Sequence, residues 1–316
     1  MKSVGLRILG CSLLFGAAGV FAESANDGMT WLAKMASAAR QLNYAGTFVY
    51  RYGSFSESSR IRHLADEIGE LEKIESLDGP VREIIRNKDE VWFYLPDIKT
   101  VKIDRAQTRR FFPALIADPV QSFSEGYGIK VLGKDRVAGR DCRLLALEPK
   151  DLFRYGYNLC ADIESGLLLR ASMVNGQNEV LEQFGFSDVK IGQFIPRDTL
   201  KSNFSNENWL RQNPPVVELS GWEVKELPPG FRKVMELKRR MASKADPVTH
   251  LLFSDGLTAV SVFVELRQGV PKATARPTQQ GPVSYYSRQI PNYNIVVLGE
   301  VPAAAVLQIA NSVFKP

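Results

Sequence analysis

Two histidines and three cysteines carry the widest chemical repertoire in this 316-residue chain. They are His63, His250, Cys11, Cys142 and Cys160. Neither their number nor their spacing builds a metal site. No C-x-x-C or H-x-x-x-H pair occurs, and a structural zinc needs four such ligands. His63 lies in a predicted strand beside Arg60 and Arg62, and His250 begins another strand in a different predicted domain. A serine triad needs a base held by a carboxylate and within hydrogen-bond reach of a nucleophile. Neither histidine has that setting in the sequence. The chain also lacks G-x-S-x-G, G-x-x-x-x-G-K-[ST] and a G-x-G-x-x-G leading into a helix. The reading is a binding protein rather than an enzyme, with no metal and no cofactor.

The cysteines point to redox chemistry of a structural kind. Lys2 and Arg7 precede an uncharged run from Ile8 to Ala22 that ends Val20-Phe21-Ala22. This pattern predicts a signal peptide over residues 1–22, removed on export to the periplasm. Its apolar run is too short to cross a bilayer core of roughly 30 Å as a permanent helix. Arg7 also leaves too little apolar chain before Cys11 for lipid attachment there. Cys11 departs with the signal, leaving Cys142 and Cys160 in an oxidising compartment. The segment between them reads as a hairpin, strand Asp141 to Glu148, turn Pro149 to Phe153, strand Arg154 to Asp162. If Glu148 faces Arg154, Cys142 faces Cys160. Facing Cα atoms lie about 4.5–5.5 Å apart, inside the roughly 4.4–6.8 Å a disulfide accepts. A one-residue slip would turn the two side chains to opposite faces. Two reduced, separately buried thiols are the alternative.

Two further constellations could bind rather than react. The run Arg232 to Arg240 (RKVMELKRR) offers Arg232, Lys233, Lys238, Arg239 and Arg240 on a predicted strand. It reads either as an edge strand protected by its charges or as a contact for an acidic partner segment or lipid phosphate. The aromatic stretch Trp92-Phe93-Tyr94 is apolar on both strand faces. With Phe111, Phe112 and Leu115 from the Pro-broken segment that follows, it reads either as plain core or as the wall of a site for acyl chains. The net charge of +5 falls by two when Lys2 and Arg7 leave. That small, evenly spread excess argues against nucleic acid as a partner.

These residues need a scaffold to position them. Asp27 is a candidate N-cap for a helix from Met29 to Asn43, with Met29, Leu32, Met35, Ala36, Ala39 and Leu42 on one face. Beyond Gly46 the period changes to two. Predicted strands run Thr47–Tyr52, Ser58–Leu64, Gly69–Leu77, Val81–Arg86, Val91–Leu95 and Lys99–Asp104. A partly helical interruption covers Arg105 to Gly128, with its helix or helices placed over Ala114 to Phe123. Strands resume at Ile129–Leu132, Asp141–Glu148, Arg154–Asp162, Leu167–Val174 and Glu179–Ile191. A polar, Asn- and Pro-bearing stretch follows and reads as a linker. A smaller unit then shows five strands between Phe231 and Leu298 and a closing helix from Pro302 to Val313. Within it, Gln268 to Gly281 reads as a polar loop. The fold class is α+β. The divisions are 1–22 signal peptide, 23–197 large domain, 198–215 linker and 216–316 small domain.

A series of short stretches, in order along nearly the whole mature chain, resembles the RseB/MucB family of sigma-E regulators. They are Asn43-Tyr44-Ala45-Gly46-Thr47-Phe48-Val49-Tyr50, Leu77-Asp78-Gly79-Pro80-Val81-Arg82-Glu83, Val137-Ala138-Gly139-Arg140 and Arg154-Tyr155-Gly156-Tyr157. Gly166-Leu167-Leu168-Leu169-Arg170 and Leu181-Glu182-Gln183-Phe184 follow. The small unit adds Leu227-Pro228-Pro229-Gly230-Phe231, Phe253-Ser254-Asp255-Gly256-Leu257 and Val260-Ser261-Val262-Phe263-Val264-Glu265. The resemblance implies that the large domain is an unclosed antiparallel β half-barrel with helices, similar to LolA/LolB lipoprotein carriers, and that the small domain is α/β. It implies that the protein binds the periplasmic segment of an RseA/MucA-like anti-sigma factor and shields it from site-one proteolysis. Lipopolysaccharide or mislocalised lipoprotein would release it. The cysteine pair lies outside the resembling stretches. A periplasmic lipid or lipoprotein carrier is the alternative function, and a homo-oligomer remains open.

Overall fold

The computed structural model describes residues 25–88, 90–105, 111–116, 119–214, 219–239, 246–267 and 276–316. The predicted signal peptide and Arg240 lie outside the described residues. The first described element is helix α1, Ala25–Gln41. It starts earlier than the sequence predicted, so Asp27 stands in the first turn rather than capping it. A negative side chain there still complements the positive end of the helix.

Eleven antiparallel strands follow. They are β1 (Tyr44–Tyr52), β2 (Phe55–Asp66), β3 (Gly69–Ser76), β4 (Glu83–Asn87), β5 (Glu90–Leu95), β6 (Thr100–Arg105), β7 (Tyr127–Val137), β8 (Arg140–Pro149), β9 (Gly156–Asp162), β10 (Leu168–Val174) and β11 (Val180–Ile191). Strand β12 (Leu210–Gln212) adds a parallel edge beside β6. The order is β12-β6-β5-β4-β3-β2-β1-β11-β10-β9-β8-β7, and the outermost strands β12 and β7 do not pair. The sheet is the unclosed half-barrel that the resemblance implied. Leu32, Met35, Ala36 and Ala38 of α1 pack against its inner face, with Phe48, Ile61, Leu159, Leu168 and Phe186. Short helices interrupt the strands at Val120–Ser122, inside the predicted Ala114 to Phe123, and at α2, Phe123–Gly126, which begins at its end and runs past it. Among the described residues no helix is long and apolar enough to cross a membrane.

The predicted linker is not loose over its whole length. Arg197–Leu200 forms a 3-10 turn and Leu210–Gln212 is β12. This strap lies on the outer sheet face, over charges that burial would otherwise leave unsatisfied. Lys73, its side chain 1% exposed, pairs with Glu83 at 3.0 Å and donates to the Lys201 carbonyl at 2.9 Å. Glu83 accepts from Ser202 Oγ at 2.8 Å and from the Asn203 backbone N–H. Buried charges of this kind persist only when paired and hydrogen-bonded, and the polar strap supplies those bonds.

The smaller sheet comprises β14 (Arg232–Arg239), β15 (Val248–Ser254), β16 (Ala259–Leu266), β17 (Thr278–Gln280), β18 (Val283–Ile290) and β19 (Tyr293–Gly299), in the order β14-β15-β16-β19-β18-β17. Strand β17 falls within the predicted loop. Helix α3, Ala303–Ser312, covers one face through Ala305, Val306, Ile309 and Ala310. A two-stranded pair, β13 (Glu223–Val224) with β20 (Val313–Phe314), completes this α/β unit.

Cys142 and Cys160 form a disulfide with Cα atoms 5.4 Å apart. The register that led to it needs correction. Cys142 faces Asp162 and Cys160 faces Leu144, so the cysteines are diagonal rather than opposite. The offset is two residues, which preserves the face each side chain occupies. Its cause is the hairpin turn. Arg154 and Tyr155 leave the ladder, β9 begins at Gly156, and the Arg154 side chain turns to the other domain.

Candidate functional site at the domain interface

Arg154 is the centre of the contact between the two domains. Its side chain is 1% exposed. One guanidinium nitrogen meets Asp255 of the small domain at 2.8 Å, and the other meets Asp151 of its own domain at 2.9 Å and donates to the Pro229 carbonyl. The group also lies over the Tyr127 and Phe231 rings, at 5.3 and 5.2 Å. Burial opposes its charge, but Asp151 and Asp255 outweigh burial and hold its pKa above the ordinary value. Gly126 permits this approach, because a Cβ there would lie 1.9 Å from the guanidinium. Lesser ties flank the centre. Arg232 reaches Glu125 at 2.6 Å, and Gln279 donates to the Tyr155 hydroxyl at 2.9 Å. Leu257 packs on the large-domain core and Phe153 on the small-domain core.

Beside these ties the domains enclose a cleft of about 940 Å³. The large sheet contributes Tyr50, Tyr157, Met173, Glu182 and Phe184 to its floor. The segment before β7 contributes Leu115, Pro119 and Glu125. The small domain supplies Arg232, Val234, Leu252, Leu257 and Glu300. A cleft of this size, with apolar walls and a few converging polar groups, is the ordinary form of a ligand or peptide site. Tyr50 donates to Glu182 at 2.9 Å. Burial raises the Glu182 carboxyl, the Glu300 charge raises it further, and the Tyr50 hydrogen bond lowers it in part, leaving it at about 7.

The sequence-predicted residues divide among several places. Phe93 and Phe111 meet on the inner side, their ring centroids 6.2 Å apart. Phe112, 2% exposed, fills that face itself, packing on Phe48, Phe184 and Phe186 at 5.0–5.8 Å. Leu115 lines the cleft. Trp92 does not join them. It points to the outer face, where it stacks near Tyr94 and carries the Arg211 guanidinium 4.7 Å above its ring. The alternation of a strand separates Trp92 from Phe93.

The basic run is divided as well. Arg232 is committed to Glu125, and Lys233 to Glu236 at 2.7 Å. Lys238 is exposed and Arg239 half-buried, and both interact within the chain. His63 is stacked on Tyr44 and bonded to Leu42 and Glu70, and His250 is stacked on Phe263. Neither lines the cleft.

Sequence reasoning missed the importance of Arg154 and the cleft. The signal lay in the resembling stretches. Tyr50, Arg154, Tyr157, Glu182, Phe184, Gly230 and Ser254 to Leu257 all belong to them, and all line the cleft or its central tie.

An open curved sheet, joined by a buried arginine to a small α/β unit with a cleft between, defines a two-domain binding protein. The chain belongs to the MucB/RseB family: its residues 27–204 match the MucB/RseB N-terminal domain and residues 217–314 the C-terminal domain. It is 31% identical to the sigma factor AlgU regulatory protein MucB of Pseudomonas aeruginosa over 319 residues, 99% of this chain and 98% of that protein. It is 27% identical to the sigma-E factor regulatory protein RseB of Escherichia coli K12, with 89% of each covered. The solved Pseudomonas aeruginosa MucA/MucB complex matches with a TM-score of 0.75 and 30% identity, over 92% of this chain and 99% of that one. A structure of MucB with the periplasmic part of MucA matches at 0.74. These relatives are regulatory proteins by name.

Proposed function

We propose that this protein is a periplasmic regulator that binds the periplasmic segment of an RseA/MucA-like anti-sigma factor in the interdomain cleft. Binding there shields the segment from site-one proteolysis. The observation that carries this reading is the convergence of the family stretches on one cleft, in a chain whose relative MucB has been solved with MucA. The small domain supplies one wall through Arg232, Val234, Leu252 and Leu257, and the Arg232 guanidinium on it offers a charge for which acidic partner residues compete with Glu125.

Release follows from exclusion. Acyl chains of lipopolysaccharide or mislocalised lipoprotein take the inner face near Phe93, Phe111, Phe112 and Leu115. Each buried methylene contributes about 0.8 kcal/mol. Because Leu115 borders both places, a lipid that displaces the Phe111–Leu115 segment alters the cleft. A ligand shifts binding only by its differential affinity for the two states, and the position of Leu115 between the inner face and the cleft supports such a difference. The alternative, a lipid or lipoprotein carrier, would need the inner face to hold cargo without any partner.

The test is a titration of mature protein with the periplasmic domain of its anti-sigma factor, followed by site-one digestion and addition of lipid A. Tight binding, protection and lipid-induced release are expected. Simultaneous, independent binding of lipid and partner would refute the release step. Absence of partner binding with retained lipid binding would favour the carrier.

A further inference from the structure

The charges that line the interdomain cleft do not balance. Among the described residues, its wall cation Arg232 is committed to Glu125, and its wall carboxylate Asp255 to Arg154. Two carboxylates are left over, Glu182 on the floor and Glu300 on the small-domain wall. Neither forms an ion pair with a lysine or arginine of the described chain. Glu300 is exposed to water, whereas Glu182 is only 7% exposed. A carboxylate placed that deeply ordinarily has a cation beside it.

Strand register shows what surrounds Glu182 instead. It faces Met173 on β10, and Met173 faces Tyr157 on β9, so the three share one row of the floor. Phe184, two residues along β11, stands on the same face, its ring centroid 4.6 Å from that of Tyr50. The carboxyl is therefore set among rings and a thioether. Tyr50 donates to Oε2 at 2.9 Å. Oε1 accepts no hydrogen bond from the described residues and keeps access to the cleft. Most of the accepting capacity of this carboxylate is thus unused. Burial, its chief perturbation, pushes the group up to about 7, as expected of an acid enclosed without its counter-ion. The same interface holds a filled version of this arrangement. The Arg154 guanidinium meets Asp255 at 2.8 Å and lies over the Tyr127 and Phe231 rings at 5.3 and 5.2 Å.

We propose that Glu182 is the seat of an arginine side chain carried by the bound partner segment. The inference rests on the proposed function, which places that segment in the cleft. A guanidinium fork meets Oε1 and the second lone pair of Oε2, leaving the Tyr50 bond intact. Its flat face lies against the rings of the floor, and its methylene stem runs along Met173. Glu300 on the small-domain wall favours the same sign of charge at the entrance. A lysine would bring the charge without the fork or the flat face.

Calorimetric titration of the mature protein with the periplasmic domain of its anti-sigma factor tests the assignment. Glu182→Gln keeps an oxygen for Tyr50 and removes only the charge. It should weaken binding by about tenfold to a hundredfold. Its own thermal stability should equal or exceed that of the native protein, because an uncompensated buried charge is gone; a residue with a merely structural role would lose stability. On the partner side, each arginine of the segment is replaced in turn by citrulline, which keeps the shape and removes the charge. One replacement should lose as much affinity as Glu182→Gln, and combining the two should cost little more than either alone. Glu182→Met, suited to the apolar floor, completes this cycle if Glu182→Gln does not fold. Unchanged affinity in the folded Glu182 variant, or losses that simply add for every arginine, would overturn the assignment. Failure of the native protein to bind the segment at all would instead remove the proposed function, and this inference with it.

Discussion

Two buried cations hold this molecule together, and they do so across different kinds of boundary. Lys73 fastens the strap to the outer face of its own sheet, through Glu83 and the Lys201 carbonyl. Arg154 fastens one domain to the other, through Asp255 and the Pro229 carbonyl. Both side chains are 1% exposed. The lysine is a compact charge inside one sheet's polar network. The arginine presents a planar fork and two faces, so it can satisfy two carboxylates and a carbonyl while lying against two rings. The difference teaches that similar burial serves separate ends, local closure in one case and the alignment of two cores in the other.

Substitutions can break that contrast. Arg154→Ala leaves Asp255 buried without its cation and should cost about 3–5 kcal/mol. Its second effect is the informative one: small-angle scattering should show a larger radius of gyration as the domains separate. An unchanged radius would remove Arg154 as the interdomain tie. Lys73→Ala should cost slightly less, about 3 kcal/mol, with the radius unchanged. Instead, limited proteolysis should gain a cut between Asn203 and Gln212, and the absence of new fragments would mean that the strap holds without Lys73.

A covalent tether sharpens the comparison. Replacing both Cys142 and Cys160 by serine should lower stability by about 3 kcal/mol, for a sequence separation of 18. Chemical denaturation measures that loss, and label distances between the domains should not move. The smallest effect belongs to an exposed tie of the same interface. Arg232→Ala removes the pair with Glu125, both side chains well exposed, and should cost under about 1 kcal/mol. A loss as large as that of Arg154→Ala, in the same denaturation assay, would show that the interface does not depend on burial.

Most strands were legible because alternation is a local property. From β1 to β11 each carries enough β-branched and aromatic residues to announce itself, and α1 announces its buried face through Leu32, Met35 and Ala36. What escaped was decided elsewhere in the chain. Leu210–Gln212 is exposed at all three positions, so no alternation marks it, and its pairing with β6 spans more than a hundred residues. The β8–β9 register differs by two residues because Arg154 and Tyr155 stay in the turn, and the partner of Arg154 there is Asp255, a carboxylate in the other domain. Trp92 was grouped with Phe93 by composition, whereas the pleat sends it to the strap and Arg211. The cleft escaped for the same reason. Its floor and walls come from two domains, and each contributing residue is unremarkable among its own neighbours.

The pairing of β1 has a consequence for how the chain reaches this state. One edge of β1 meets β2, its immediate successor, as Tyr44 faces His63. The other edge meets β11, as Tyr50 faces Phe184. The meander from β1 to β6 can therefore assemble from local contacts while the chain is still emerging. The second edge must wait for residues 180–191, and closing so long a loop is slow relative to hairpin formation. During that interval β1 presents unpaired backbone N–H and carbonyl groups beside aromatic side chains, the combination that invites strand-to-strand association. Arrival of β11 ends that exposure and joins the two halves of the sheet in one step.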